Sequence, residues 1–420
     1  MAVLIRIPYL QIMTRASYFV GFLILFSSCQ PAKQEDSATF EVFCEMVASD
    51  AKPISLHHPM DSSYVDTYWP VYEKRAKKWG VSLYRETAFP NSLLFPEPVK
   101  DGQHVVLIYL PPRLQQYLQW KTDQLAADPA DRGQQEALAR RLGRLLGYGH
   151  EGVNRLLEKN SGYRSLASFG VSEQITHLYY EIPGEAIAFY EGVLGLPKEG
   201  ANRFRIGADA LIEIHPFGAD HPSGQPKSTA IALLTDQLPE WYAYIQSKNI
   251  PVKYPYRRRE GGPHDGFVAL DPGGYLLEFE AFKQHPENER LMAVLAEAPR
   301  TKTGTDGLYF FGSITWTYHK DLSGMQQFYE ETLGYPLVAD QGWTKIYRTS
   351  PTGFIGLVDE RRGMEDYADQ KAVELEWRVQ DLQGLAAHAS DSWSGYDKAT
   401  LSLTGPEGYR YRISEKTSED

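Results

Sequence analysis

The chain has 420 residues, of which 42% are hydrophobic and 23% charged, and its formal charge is −11. At about 100–200 residues per domain this leaves room for two to four packed domains. An acidic chain without a long basic run is poorly suited to generic nucleic-acid binding, whose affinity comes from Lys and Arg neutralising phosphates, so no nucleic-acid partner is expected.

The first element is a leader, residues 1–28. Arg6 and Arg15 precede the apolar stretch Tyr18–Phe26, which ends in Ser27-Ser28-Cys29. That order of basic, apolar and small residues is the pattern of a secretory signal, and the apolar run falls short of the roughly 20 residues of a bilayer span. The small pair before Cys29 resembles a bacterial lipoprotein signal, although Phe26 stands where Leu is usual. The resemblance implies lipidation of Cys29 and export, with the chain anchored to a bacterial membrane on its periplasmic or outer side. Residues 29–39 then form a polar tether. Cys44 is the other cysteine of the chain. With Cys29 acylated no intramolecular disulfide is possible, and stability must come from packed cores.

Residues 40–165 read as a mixed α+β block. Val105–Leu110 is an apolar run of strand length closed by Pro111-Pro112. Leu114–Asn160 reads as helix, with Leu138, Leu142, Leu145 and Leu146 at helical spacing and interruptions at Gly147, Gly149 and Gly152. His57-His58 and His150-Glu151 are of ligand type, but isolated pairs of this kind read as structural or solvated. No motif assigns this block a role.

Two further blocks follow, residues 175–282 and 307–416, joined by 283–306, where Lys302–Asp306 has the composition of a flexible linker. They are repeats of one another. Ala188–Pro197 matches Gln327–Pro336 through Phe189/Phe328, Tyr190/Tyr329, Glu191/Glu330, Leu194/Leu333, Gly195/Gly334 and Pro197/Pro336. Asp271-Pro-Gly-Gly-Tyr275 matches Gly405-Pro-Glu-Gly-Tyr409. Each block reads as strand, helix, then strands, done twice. In the first block the strands are expected at Thr176–Ile182, Phe204–Ile206, Ala210–Ile214, Ala230–Leu234, Gly266–Leu270 and Tyr275–Phe279. The helices are expected at Glu185–Leu194 and Leu238–Lys248. Asp271–Gly274 is a hairpin turn, where Pro presets φ and Gly supplies φ > 0.

This βαβββ half-repeat, with Phe-Tyr-x-x-x-Leu-Gly at the helix end and Asp-Pro-x-Gly-Tyr-x-x-Glu before the last strand, resembles the vicinal oxygen chelate superfamily of glyoxalases, bleomycin resistance proteins and extradiol dioxygenases. The resemblance covers about 110 residues in each block. It implies an α+β fold: two tandem vicinal-oxygen-chelate domains, each of paired βαβββ modules curling into a U-shaped sheet, after the small mixed N-terminal block. It also implies a divalent metal ion (Mn, Fe, Ni or Zn) on the cleft floor, chelating neighbouring oxygens of a small-molecule substrate. In the first block the family's ligand positions fall on His177, Glu213 and Glu278, with Ala230 where many members have a second histidine. Glu213 and Glu278 are the expected proton-moving carboxylates. His215 shares a strand face with Glu213 and is expected beside the substrate, as are Arg259 and His264 at the cleft rim. In the second block the same positions carry Ile314 or Trp316, Gly356, Glu374 or Leu375, and Arg412, so no metal is expected there. Its aromatic residues Trp316, Trp343, Tyr347, Trp377 and Tyr411 suit either an organic pocket or the core. The function implied is a metal-dependent lyase, isomerase or oxygenase. The alternative is a non-catalytic lipoprotein that binds or sequesters a small molecule.

Overall fold

The computed structural model describes residues 32–129, 131–305, 307–393 and 395–416; the expected leader and Cys29 lie outside the described residues. No helix among the described residues is long and apolar enough to cross a membrane.

The N-terminal block is built on strands β1 (Ile54–Leu56), β2 (Met60–Asp61), β3 (Ser82–Glu86) and β4 (Gln103–Tyr109). The expected apolar run is β4, to which the other three pair antiparallel. The helix expected over residues 114–160 is three helices, Arg113–Ala126, Arg132–Leu145 and His150–Ser161. Pro129 cannot continue the first. Asp131 starts the second by accepting a hydrogen bond from the Gln134 amide at 3.0 Å, and Gly147, at φ 77°, turns the chain out of it. These helices pack Tyr117, Trp120, Leu142 and Leu157 on one side of the sheet. Ala32–Ala48 and Ser62–Trp79 cover the other side with Phe40, Val65 and Tyr72. Cys44 is a buried free thiol there.

Four βαβββ modules follow. The first holds β5 (Val171–Tyr180), β6 (Lys198–Glu199), β7 (Arg203–Arg205) and β8 (Ala210–Pro216). The second holds β9 (Thr229–Leu234), β10 (Val252–Arg257), β11 (His264–Leu270) and β12 (Leu276–Phe282). The joining segment is not a bare linker: it contains the helix Glu289–Ala296 and a small ladder of β13 (Thr301–Lys302) with β14 (Tyr309–Phe310). The third module holds β15 (Gly312–His319), β16 (Leu337–Asp340), β17 (Thr344–Arg348) and β18 (Gly353–Asp359). The fourth holds β19 (Val373–Val379), β20 (Tyr396–Asp397), β21 (Ser402–Thr404) and β22 (Arg410–Glu415).

The expected strands are all present, with β5 and β12 longer than alternation alone suggests and β6 and β10 added at the sheet edges. The helix expected at Glu185–Leu194 is α-helical only over Pro183–Ala188. It then widens into a π turn, Phe189–Val193, closed by the Leu194 amide on the Phe189 carbonyl at 3.0 Å. That turn buries Phe189 and Tyr190 together.

The modules pair across the two blocks, not within them. One eight-stranded sheet runs β20-β21-β22-β19-β5-β8-β7-β6 and joins the first module to the fourth. The other runs β10-β11-β12-β9-β15-β18-β17-β16 and joins the second to the third. The seams are antiparallel, β5 on β19 with His177 opposite Glu374, and β9 on β15 with Ala230 opposite Trp316. Period-two alternation puts Ile175, His177 and Tyr179 on one face of β5 and Thr176, Leu178 and Tyr180 on the other. The two sheets meet back to back, where Thr176 Oγ1 lies 2.6 Å from Thr315 Oγ1 and Gln174 Nε2 donates to the Phe354 carbonyl at 3.2 Å.

The N-terminal block docks on the third module. Tyr163 Oη donates to the Glu331 carbonyl at 2.7 Å and Arg140 Nη2 to the same carbonyl at 3.1 Å.

Candidate functional site

The first cleft lies on the charged face of the sheet that joins modules one and four. β5 and β8 run parallel in register, with His177 beside Glu213 and Tyr179 beside His215. His177 Nδ1 is 2.8 Å from His215 Nε2, and His215 Nε2 is 3.4 Å from Glu213 Oε1. His177, Glu213 and His215 each offer a ligand atom within 4.8 Å of the others. Arg203 on the neighbouring β7 grips Glu213 through Oε2, with Nε at 2.8 Å and Nη2 at 2.7 Å, so Oε1 is the oxygen that faces the histidines.

The fourth module supplies the rest. Glu376 Oε2 is 2.9 Å from His177 Nε2, and its other oxygen accepts from Ser414. Burial by itself would raise the Glu376 carboxyl, but the hydrogen bond and charge of His177 outweigh it and hold the group at about 2. An ionised carboxylate only accepts, so His177 donates from Nε2 to Glu376 and faces His215 with Nδ1. His215 is pushed down to about 4, first by burial and then by the charge of His177; it is neutral near pH 7. Beside this cluster Glu374 gathers Arg412, Arg410 Nη1 at 3.1 Å, His221 Nε2 at 3.1 Å and Tyr179 Oη at 3.1 Å. Burial opposes ionisation of Glu374 too, but His221 and the two arginines hold it at about 2.

The second sheet carries a different cleft. Glu278 and Glu280 stand on its floor, with His264, Trp316, Tyr318, Trp343, Thr344 and Met364 around them. Arg257, Arg259 and Arg362 line its mouth. Burial pushes Glu278 up to about 8, and burial together with the charge of Glu278 pushes Glu280 well above the carboxylate range.

The expected trio of His177, Glu213 and Glu278 is therefore divided. His177 and Glu213 come together with His215 in the first cleft. Glu278 belongs to β12, which pairs with β9 of the other sheet, and Arg259 and His264, expected at the rim of the same cleft beside the substrate, go with it. The physical reason is the crossed seam: β5 meets β19, not β9, so the second module's last strand never reaches His177. Sequence reading missed Glu376 and Arg203. A signal for Glu376 was present, since it shares a strand face with Glu374, two residues before it. Of the aromatic set, Trp316 and Trp343 line the second cleft, whereas Tyr347, Trp377 and Tyr411 are core residues.

Residues 175–279 match the family model of the Glyoxalase/Bleomycin resistance protein/Dioxygenase superfamily. This stretch is a domain of that superfamily. The superfamily match spans modules one and two, the pair that the fold sends to different sheets. Similar solved structures include glyoxalase I from Zea mays, 14% identical, covering 58% of this chain and 92% of that one with a TM-score of 0.37. A single-residue variant of the same maize enzyme is 12% identical, covering 60% and 96% with a TM-score of 0.40. A glyoxalase/bleomycin resistance protein/dioxygenase from Alicyclobacillus acidocaldarius is 22% identical, covering 26% and 89% with a TM-score of 0.20. No curated protein sequence matches the chain.

Proposed function

We propose that the first cleft is a divalent-metal centre acting on a small molecule with neighbouring oxygens, which makes the protein an enzyme of lyase, isomerase or oxygenase type. The observation that carries this reading is the relay from Glu376 through His177 to His215 and Glu213. Metal-ligating histidines commonly donate their other ring N–H to a carboxylate, which fixes tautomer and ring orientation. His177 on Glu376 has that arrangement, with Nδ1 left as the ligand atom. Ligands at 2.0–2.2 Å around a tetrahedral ion sit roughly 3.3 Å apart. The 3.4 Å spacing at His215 matches this, and the 2.8 Å spacing is about 0.5 Å short of it, the distance of a hydrogen bond in the absence of an ion. Two imidazoles and a carboxylate suit Mn, Fe, Ni or Zn.

A bound ion would supply Lewis-acid polarisation of substrate oxygens. The chain's own groups do the remaining work. Arg203 holds Glu213 by Oε2, so Oε1, the oxygen turned toward the ligand site, is the one that would exchange that place for a substrate proton. Arg410 and Arg412, half-exposed beside the cluster, offer N–H donors to a developing negative charge. Proton transfer falls to Glu213, since Glu278 stands in the other cleft. We propose that this chemistry takes place on the exported side of a bacterial membrane, on a lipid anchor at Cys29, a reading supported by the signal-like order of residues 1–29.

The test is the metal content of the purified protein by elemental analysis. Near-stoichiometric metal, lost in His177→Ala and His215→Ala and kept in Glu278→Ala, is the expected result. No metal after incubation with Mn, Fe, Ni or Zn would overturn the enzyme reading and leave a non-catalytic ligand-binding protein as the better account.

A further inference from the structure

The second cleft has the features of a binding site in its own right, and none of them depends on a metal in the first. Its space consists of a cavity of about 300 Å³ adjoining one of about 140 Å³, which share His264, Glu278, Glu280 and Met364. Glu280 is 4% exposed, and its Oε2 has no hydrogen-bond partner among the described residues. Trp316 Nε1 and Thr344 Oγ1, lining the same space, are also buried without partners. Neither a hydrogen bond nor an ion pair reaches the Glu278 carboxyl among the described residues. Buried polar atoms are almost always satisfied, and each one left open costs free energy. Several open atoms facing one cavity are accounted for by a molecule that fills it.

The chemistry of that molecule can be read from the walls. Trp316 lies flat on the backbone of β18: a Cβ at Gly356 would come within 1.9 Å of its ring. The indole is thus a fixed platform, with Tyr318 and Trp343 nearby. Aromatic faces beside carboxyls attract flat cations through the ring quadrupole and the opposite charge. The groups facing the two carboxyls are His264, whose Nδ1 is 3.4 Å from Glu280 Oε1, and the arginines of the mouth. Arg257, Arg259 and Arg362 are exposed, where water and salt screen them; Arg362 sits over the Trp343 ring at 4.9 Å. Deep on the floor, where charge is dear, a cation is the complement that is missing.

We infer that the second cleft binds a flat organic cation, an aromatic amine or amidine, with its nitrogen on Glu278 and Glu280 and its ring against Trp316. Three probes of equal shape separate the alternatives: benzamidine, benzamide and benzoate, which are cationic, neutral and anionic. Their binding to metal-free protein is measured by calorimetric titration, so the result stands whatever the first cleft holds. Benzamidine is expected to bind in the millimolar range or tighter, as suits so small a ligand, and at least tenfold tighter than the other two. Glu280→Gln and Glu278→Gln should each shrink that preference while the metal content of the loaded protein stays the same. Benzoate or benzamide binding as tightly as benzamidine would overturn the inference. So would a preference that survives both substitutions together, or no binding of any probe.

Discussion

His177 and Glu376 share a hydrogen bond of 2.9 Å across 199 residues of chain. It joins the first strand of module one to the first strand of module four and exists only because β5 and β19 are neighbours. Replacing Glu376 with Gln keeps the shape and removes the charge that orients the imidazole. Such outer carboxylates are typically worth 10–100-fold in metal affinity. We expect Glu376→Gln to lose metal affinity within that range in a chelator competition. Unchanged affinity would separate Glu376 from the centre.

The Glu278 carboxyl has an ordinary value of 4.5 and stands at about 8 when folded. The fold tolerates its neutral form, so its contribution to stability is fully present below the ordinary value. That contribution is lost as the pH rises through the folded value. Glu278→Gln, which is always neutral, should therefore leave stability at pH 4 nearly unchanged and raise it at pH 8 by on the order of 4 kcal/mol. Thermal unfolding of both proteins at the two pH values checks this. An equal change at both would show that burial of the charge is not the cause.

Gly356 makes the second cleft's shape possible. A Cβ there would meet the Trp316 ring at 1.9 Å, in a strand buried on both sides. Gly356→Ala should destabilise the protein by about 1–3 kcal/mol through overpacking and displace the indole. Denaturant unfolding gives the first quantity. Indole fluorescence gives the second, and an unshifted spectrum with wild-type stability would count against the packing described.

The N-terminal block is held by Arg140, Arg144, Asn154 and Tyr163 on Glu330 and Glu331. Arg140 donates to the Glu331 carbonyl, bonds Asn154 Oδ1 at 2.6 Å and lies over the Tyr163 ring at 4.6 Å. Arg140→Ala takes the donor from Asn154 Oδ1, while the Glu331 carbonyl keeps that of Tyr163, at a cost of about 2 kcal/mol. It should uncouple the block from the modules. Limited proteolysis is expected to cut faster between residues 160 and 171, and calorimetry to show two transitions. A single unshifted transition would mean the interface rests on other groups.

Most of the architecture could be read along the chain. Alternation in β5, β9 and β12, the paired Phe-Tyr helix ends and the Pro-Gly turns before Tyr275 and Tyr409 are local signals, and local sterics and burial enforce them. The same holds for His177, Glu213 and His215, whose shared face follows from parallel strands with period two. Which module faces which was not legible. All four modules present similar first strands to a partner, and one repeat looks as good a neighbour as another until side chains interlock across the seam. The crossed pairing of β5 with β19 and of β9 with β15 is a long-range choice. It separated Glu278 from His177, brought Glu376 in from module four, and left two unlike clefts where the linear repeat suggested one site and one remnant. The sequence by itself determined the modules and the faces of their strands. Only the tertiary structure decided which faces close on one another, because hydrophobic periodicity records that a face is buried and not against what.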